Sequence, residues 1–138
     1  MSMDLKEWAV HYIKQMDAVK GNLVSYREEG DRVLCDYKEG RKASFICNEN
    51  LELGKLKALK DDESAYVVCE CNEHNFKILA DNWDLFKSKQ SLAFIFLNPN
   101  IAEKWIIKPF FHAKIADPHT LKQGLRTMYD TCMGTSKD

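Results

Sequence analysis

Two acidic side chains interrupt segments that otherwise carry apolar, strand-forming residues. Asp36 lies within one such segment, residues 33–37, and Glu70 lies near the end of another. Burying an unpaired carboxylate is costly, so each acid needs a counter-charge, a metal ion or solvent. On neighbouring strands, Asp36 and Glu70 would offer Mg²⁺ the oxygen ligands it prefers, and the ion would activate water for phosphodiester hydrolysis. The alternative is that Glu70 is solvated or pairs with Lys77 or Lys42.

Positive charge is locally in excess between residues 101 and 127. Five cationic side chains outnumber Glu103 and Asp117, and aromatic residues are interleaved with them. Lysine and arginine bind phosphate groups, and exposed rings stack on unpaired bases. The stretch therefore predicts a nucleic-acid contact surface; the competing interpretation is a solvated rim around core aromatics. The five cations are Lys104, Lys108, Lys114, Lys122 and Arg126.

Cysteine and histidine spacing suggests two further kinds of chemistry. Cys69, Cys71 and His74 would offer three ligands to Zn²⁺, with a fourth from Cys47 or His112. A nucleophilic cysteine–histidine pair is also conceivable, although the spacing selects no particular pair. The competing interpretation is that all five cysteines are reduced thiols packed in the core, as is typical of a cytosolic protein.

A partner interface is predicted next to a proline. The run Lys108–His112 contains two adjacent phenylalanines. If these alternate on an edge strand, one ring faces the core and the other faces outward. An outward aromatic ring on an edge strand is a suitable anchor for a homodimer, although a further helix would cover it equally well.

Composition narrows the possible classes of protein. The 138 residues are 45% hydrophobic, which excludes a disordered chain, and the formal net charge of −1 excludes a strongly basic arm. The longest apolar run, Leu92–Leu97, is too short to span a bilayer. We therefore expect a cytoplasmic protein that does not enter the membrane. No cofactor is expected, apart from Mg²⁺ if the two acids form a catalytic site.

The first half of the chain predicts one helix followed by an antiparallel meander. Apolar residues recur with helical spacing from Leu5 to Met16, and Asp4 is placed to cap the first turn. Three short strands follow, with glycines at the breaks between them. The strands cover residues 23–26, 33–37 and 43–47, and a short helix is suggested between residues 50 and 64.

The second half predicts a parallel crossover and a final helix. A strand at 65–71, an amphipathic helix at 76–86 and an apolar strand at 92–97 form a β-α-β unit. A short edge strand is expected at 105–107. Asp117-Pro118 is typical of a helix start, and the last helix then extends to Cys132.

These elements predict an α/β (α+β) fold with a single mixed β-sheet. The sheet combines the antiparallel meander with one parallel β-α-β crossover, and at least three helices flank it. We expect one domain over residues 1–134 and a loose C-terminal tail over residues 135–138.

This order of elements resembles the restriction-endonuclease-like nuclease superfamily. The motif of that superfamily is an Asp on one strand and Glu-x-Lys on the next; here Asp36 and Glu70-Cys71-Asn72 take those positions. The resemblance implies a Mg²⁺-dependent phosphodiesterase in which Lys77 replaces the missing lysine. Because Asn72 cannot supply positive charge, we expect instead a non-catalytic binding module on this scaffold, with nucleic acid as a possible ligand. The segment from 92 to 117 also resembles small archaeal proteins of unassigned function.

Overall fold

The computed structural model describes residues 4–60, 63–101 and 103–134. These residues form one mixed sheet of six strands and six α-helices. The predicted tail over residues 135–138 lies outside the described residues. The strands are β1 (Leu23–Glu29), β2 (Arg32–Tyr37), β3 (Lys42–Cys47), β4 (Ala65–Glu70), β5 (Leu92–Asn98) and β6 (Glu103–Ile107). The helices are α1 (Leu5–Asp17), α2 (Leu53–Lys57), α3 (Glu73–Asp81), α4 (Trp83–Phe86), α5 (Pro109–Ile115) and α6 (Leu121–Met133).

The strands lie in the sheet in the same order as along the chain. The predicted antiparallel meander of β1, β2 and β3 is confirmed. Gly30 and Gly40 at its turns adopt positive φ values of 58° and 71°. The predicted parallel crossover from β4 to β5 is also confirmed, and β6 returns antiparallel to β5. β3 and β4 are parallel as well, which gives a second crossover through α2 that the sequence analysis did not predict.

Of the described helices, α1 packs on one face of the sheet, which we call the α1 face. Asp4 caps this helix as predicted, because its side chain accepts a hydrogen bond from the Glu7 amide at 3.2 Å. The helix buries Leu5, Ala9 and Ile13 against alternate residues of the strands. Residues from the other five helices and from the segments next to them pack on the opposite face, which we call the α6 face.

β5 is buried on both sides, as its apolar sequence predicts. Phe94 and Phe96 belong to the core cluster on the α6 face. Ile95 and Leu97 belong to the cluster on the α1 face. β5 is therefore enclosed on both faces, so a ligand site on the parallel strands must lie near their ends.

Three predicted elements differ from the structure. The helix predicted at 76–86 is divided into α3 and α4, because Asn82 leaves helical geometry and its side-chain Nδ2 donates to the Ile78 carbonyl at 2.9 Å. The run from Lys108 to His112 is helical rather than an edge strand, with Pro109 at the first turn of α5. The last helix begins at Leu121 and not at Pro118.

The Asp117-Pro118 signal marks a turn that precedes α6. The Asp117 carboxylate accepts a hydrogen bond from the His119 amide at 2.9 Å, and its carbonyl accepts one from the Thr120 amide at 3.1 Å. An Asp side chain that bonds the backbone two residues ahead stabilises a turn as readily as a helix cap. The prediction that Asp117-Pro118 begins the last helix was therefore wrong, because these residues form the turn that precedes it.

All five cysteines are buried and none forms a disulfide, which agrees with the prediction of packed thiols. Among the described residues, no helix has the length and apolar character needed to cross a membrane.

Candidate functional site

Asp36 lies on the α6 face of β2 and makes two ion pairs. Its carboxylate is 3.8 Å from Arg27 on β1 and 3.5 Å from Lys42 on β3. The alternation of β2 buries Val33 and Cys35 on the α1 face, so Asp36 turns the other way and stays partly exposed. A cross-strand row of opposite charges therefore accounts for this acid.

Glu70 lies far from Asp36. β3 separates the two strands that carry these acids, so the expectation that they occupy neighbouring strands is wrong. Asp36 pairs with Lys42 at the start of β3, whereas the Glu70 amide bonds the Glu49 carbonyl beyond the end of β3. The two carboxylates therefore lie on opposite faces and at opposite ends of the sheet, about 20 Å apart along the strands. They do not share a metal site.

Lys77 does not complete a site with either acid. It lies on the exposed side of α3, and α3 packs on the α6 face, whereas Glu70 lies on the α1 face. Within the described residues, no group of three or more His, Cys, Asp and Glu side chains is arranged to hold a metal ion. The three residues of the predicted catalytic set are thus distributed over separate parts of the surface.

The predicted zinc ligands also make other contacts. Cys69 and Cys71 belong to the core of the α6 face, and Nε2 of His74 lies 2.9 Å from the Leu51 carbonyl oxygen. Burial raises the pKa of the Cys69 thiol. The pKa of the Cys71 thiol is raised because it donates a hydrogen bond to Cys132 and is buried. Neutral buried thiols of this kind are structural rather than nucleophilic.

The five cations of the predicted nucleic-acid patch do not form one surface. Arg126 makes a two-pronged ion pair with Glu73 at 2.8 and 3.1 Å, and its guanidinium lies 4.6 Å from the Phe76 ring centre. Lys114 lies 4.3 Å from the centre of the Phe110 ring. Lys104 projects on the α1 face of β6, whereas α6, which carries Lys122 and Arg126, packs on the other face. The five cations are close in sequence but do not lie together on one surface of the structure.

The predicted dimer anchor lies on a helix. Phe110 and Phe111 lie in the first turn of α5, and the Phe111 ring is 53% exposed. One aromatic ring is therefore open to solvent, as predicted, but it does not lie on an edge strand. The homodimer stays a prediction.

The carboxyl ends of β3 and β4 are joined by a polar network that we call the asparagine clasp. It consists of Asn72, Asn75 and the loop from Glu49 to Leu51. The Asn75 side chain is fully buried; it accepts from the Leu51 amide at 2.7 Å and donates to the Glu49 and Glu70 carbonyls at 2.8 and 2.7 Å. Asn72 caps α3 by accepting from the Asn75 amide at 2.9 Å. The residue that replaces the nuclease lysine therefore has a structural role.

At the opposite end of the parallel strands lies an open cleft that we call the tyrosine groove. Its volume is about 460 Å³. Four aromatic rings line it: Tyr12 of α1, Tyr37 at the end of β2, Phe45 of β3 and Tyr66 of β4. All four lie on the α1 face, where α1 ends and leaves the strands uncovered beside its last turn.

Three of these rings, Tyr12, Phe45 and Tyr66, form a chain of aromatic contacts that begins at Trp8. Trp8 and Tyr12 are parallel to within 12°, with ring centres 5.0 Å apart. Tyr12 meets Phe45 edge to face at 6.4 Å, and Phe45 is parallel to Tyr66 within 7° at 4.5 Å. Such contacts hold the rings in fixed orientations, which lowers the entropy that would be lost when a planar ligand stacks on them.

Two cations at the rim of the groove make no ion pair with another described residue. Lys20 and Arg41 are both exposed and both line the groove. The nearby acid Asp17 bonds the backbone instead of these cations: its two carboxylate oxygens accept hydrogen bonds from the Asn22 and Leu23 amides, each at 2.9 Å. The rim therefore presents positive charge to an incoming ligand.

Two phenol groups in the groove, those of Tyr12 and Tyr37, have a pKa above the ordinary value and are neutral near pH 7. Burial raises the pKa of Tyr12, with a further contribution from Tyr66. Burial also raises the pKa of Tyr37, together with its contact to Cys35. These hydroxyls can donate and accept hydrogen bonds, and they bring no negative charge that would repel an anion.

A second cleft of about 440 Å³ lies beside α2 and has a different character. Its charged groups are already paired: Asp31 accepts from Asn48 at 3.1 Å and from Lys55 at 3.4 Å, and Arg32 meets Glu63 at 3.4 Å. Although burial alone would raise the pKa of Asp31, these hydrogen bonds bring that pKa below its ordinary value. The tyrosine groove therefore has more charged groups that lack an ion-pair partner among the described residues than this cleft has.

Searches with protein-family models, curated proteins and solved structures returned no match to this chain. The assignment of a site therefore depends on geometry alone. The groove was missed in the sequence because its rings come from four separate elements and each ring fits an ordinary core pattern. The one available signal was the alternation of β3 and β4, which places Phe45 and Tyr66 on the face that α1 covers only in part.

Proposed function

We propose that this protein is a non-catalytic binding module that holds a short segment of single-stranded nucleic acid in the tyrosine groove. The observation that supports the proposal is that one open cleft combines aromatic rings held by contacts with one another and two cations that make no ion pair with a described residue. Stacking platforms beside positive charge are the usual means of binding unpaired nucleotides.

The aromatic residues supply the platform for the bases. Tyr12, Tyr37 and Tyr66 are each partly exposed, whereas Phe45 is 3% exposed and contacts the rings of Tyr12 and Tyr66. A base that stacks on a preordered ring gains about 1–3 kcal/mol. The neutral tyrosine hydroxyls can bond base edges without selecting strongly among bases.

The rim cations supply the contacts to phosphate. Lys20 and Arg41 lie at the end of the groove formed by the α1–β1 and β2–β3 connections. Each cation that neutralises a phosphate of a single strand contributes about −0.7 to the slope of log affinity against log salt concentration. The net charge of the whole chain is only −1, so this local charge is not overwhelmed by the rest of the molecule.

The test is a titration of fluorescently labelled oligothymidylate and oligouridylate, followed by anisotropy at several salt concentrations. The double variant Lys20→Ala/Arg41→Ala should bind at least tenfold more weakly, and its salt slope should flatten by about 1.4. The matched control is Lys104→Ala/Lys122→Ala, which removes the same charge at exposed sites outside the groove. We expect its affinity to change less than threefold.

Two outcomes contradict the proposal. One is equal weakening by both double variants, which would place binding on general surface charge. The other is the absence of oligonucleotide binding together with binding of an acidic, tyrosine-containing peptide of similar length, which would make the groove a protein-docking site.

A further inference from the structure

A smaller pocket of about 260 Å³ adjoins the tyrosine groove, and we call it the Lys108 pocket. Ser64 and Tyr66 line both spaces, so the two adjoin. The other walls come from the start of β5, including Ala93, and from the start of α5, including Lys108 and Phe111. The combined space extends from β2 to β5, which is about 14 Å across the sheet.

The orientation of the Tyr66 ring explains why this pocket exists. Phe45 and Tyr66 are register partners on β3 and β4, and their parallel rings are separated by 4.5 Å, close to the spacing of the strands. The ring normal therefore runs across the sheet. The face of Tyr66 that Phe45 does not cover turns toward β5, where its partner is Ala93. A methyl side chain at that position leaves a ring-sized space beside Tyr66.

The far side of this space has the groups that a nucleotide needs. Phe111 is 53% exposed and provides a second aromatic wall. Lys108 is exposed, and no ion pair joins it to another described residue. A planar base and an anionic phosphate match these two side chains.

We propose that the Lys108 pocket is a second nucleotide subsite, in which a base stacks on the free face of Tyr66 against Phe111 and its phosphate contacts Lys108. This inference rests on the proposed function and adds a requirement on the ligand. Because two subsites adjoin, the protein prefers linked nucleotides over a mononucleotide. The two nucleotides lie on opposite sides of the Phe45–Tyr66 pair, with one base in the groove beside Tyr12 and Tyr37 and the next on the free face of Tyr66.

The test measures affinity against ligand length, from one to six thymidine nucleotides, for the wild type and for three variants. The wild type should gain about tenfold in affinity when the second nucleotide is added. Phe111→Ala and Lys108→Ala should each lose most of that gain while their affinity for the mononucleotide is retained. Ala93→Leu, which fills the pocket, should have the same effect. The control is Ile115→Ala on the same helix, where the side chain is 84% exposed and does not line the pocket.

The outcomes separate this inference from the proposed function. If the wild type binds one nucleotide as tightly as several, or if the Phe111 and Lys108 variants keep the gain with length, the second subsite is disproved and the groove alone survives. If the wild type binds no oligonucleotide of any length, the proposed function fails and the subsite fails with it. If Ala93→Leu fails to fold, the Phe111 and Lys108 variants still test the inference, because both of those side chains face solvent.

Discussion

The two ends of the parallel strands β3, β4 and β5 have opposite characters. In parallel sheets, ligands usually bind beyond the carboxyl ends of the strands. Here that end is closed, because the asparagine clasp uses the side chain of Asn75 to satisfy backbone groups of two loops. The amino end is open and presents the tyrosine groove, whose rim cations Lys20 and Arg41 have no charged partner among the described residues.

The contrast separates groups that hold the fold together from groups that remain available for a ligand. A buried polar network stabilises a protein when every member is satisfied, and it then has nothing left to offer another molecule. Partly exposed rings and unpaired cations contribute less to stability but keep their binding capacity. Mutations at the two ends should therefore separate stability from affinity.

The largest effect is expected from Asn75→Ala in the clasp. The variant removes three hydrogen bonds: the buried Leu51 amide and the part-buried Glu70 carbonyl lose their bonds to the Asn75 side chain, and the Glu49 carbonyl keeps only its bond from the Glu70 amide. The free energy of unfolding should fall by about 3 kcal/mol, measured by urea denaturation. Asn50→Ala is the control, since Asn50 is exposed and bonds only the Asn72 side chain within the described residues, so we expect a loss of about 0.5 kcal/mol or less. Equal losses would show that the clasp does not hold these loops.

The next largest effect is expected from Tyr66→Leu in the groove. The variant removes the ring shared by the two proposed subsites, so oligonucleotide affinity should fall about tenfold or more. Stability should fall by about 1 kcal/mol, because the parallel contact with Phe45 is lost. Tyr26→Leu is the matched control, since Tyr26 is a partly exposed tyrosine outside the groove with Lys14 5.4 Å from its ring centre. If Tyr26→Leu weakens binding as much, the groove is not the site.

A smaller effect, on stability alone, is expected from Arg126→Ala. The guanidinium pairs with Glu73 and lies over Phe76, but all of this occurs near the surface, where such contacts contribute about 1 kcal/mol together. Oligonucleotide affinity should not change, although Arg126 was part of the predicted nucleic-acid patch. Arg126→Lys should recover less than half of the lost stability, because lysine lacks the planar fork. A loss of affinity in Arg126→Ala would restore the original patch as the binding surface.

Much of the fold was predictable because the relevant signals are local. The period of α1, the glycine turns of the meander and the two-sided apolar pattern of β5 each act within a few residues. The roles of the two prolines in the second half of the chain were less predictable. Asp117-Pro118 suits a turn as well as a helix cap, and Pro109 ends a strand as well as it begins a helix.

The site was less predictable because it depends on which strands become neighbours. Asp36 and Glu70 were expected on adjacent strands, but the unpredicted pairing of β3 with β4 places β3 between them. The same pairing brings Phe45 against Tyr66 and so creates the stack in the groove. A single long-range pairing therefore removed the predicted site and formed another, and no local pattern specifies it.

The smallest effect concerns Glu70 at the closed end and depends on pH. Its pKa is raised by burial and by the neighbouring Glu49, so the folded protein holds this proton more tightly than the unfolded chain does. Stability is therefore complete at pH values below the ordinary carboxyl pKa and is partly lost as pH rises through the higher pKa of the folded state. Glu70→Gln removes this titration, so the variant should be more stable than the wild type by about 0.5 kcal/mol at pH 7 and equal to it near pH 4. Glu49→Gln should give a similar gain by removing the like charge, whereas Glu52→Gln, whose carboxylate lies 3.8 Å from Lys55, should give none. A Glu70→Gln variant that is less stable than the wild type at pH 7 would mean that the ionised carboxylate stabilises the closed end of the sheet. That end would then be held by a charged group as well as by the neutral hydrogen bonds of the asparagine clasp.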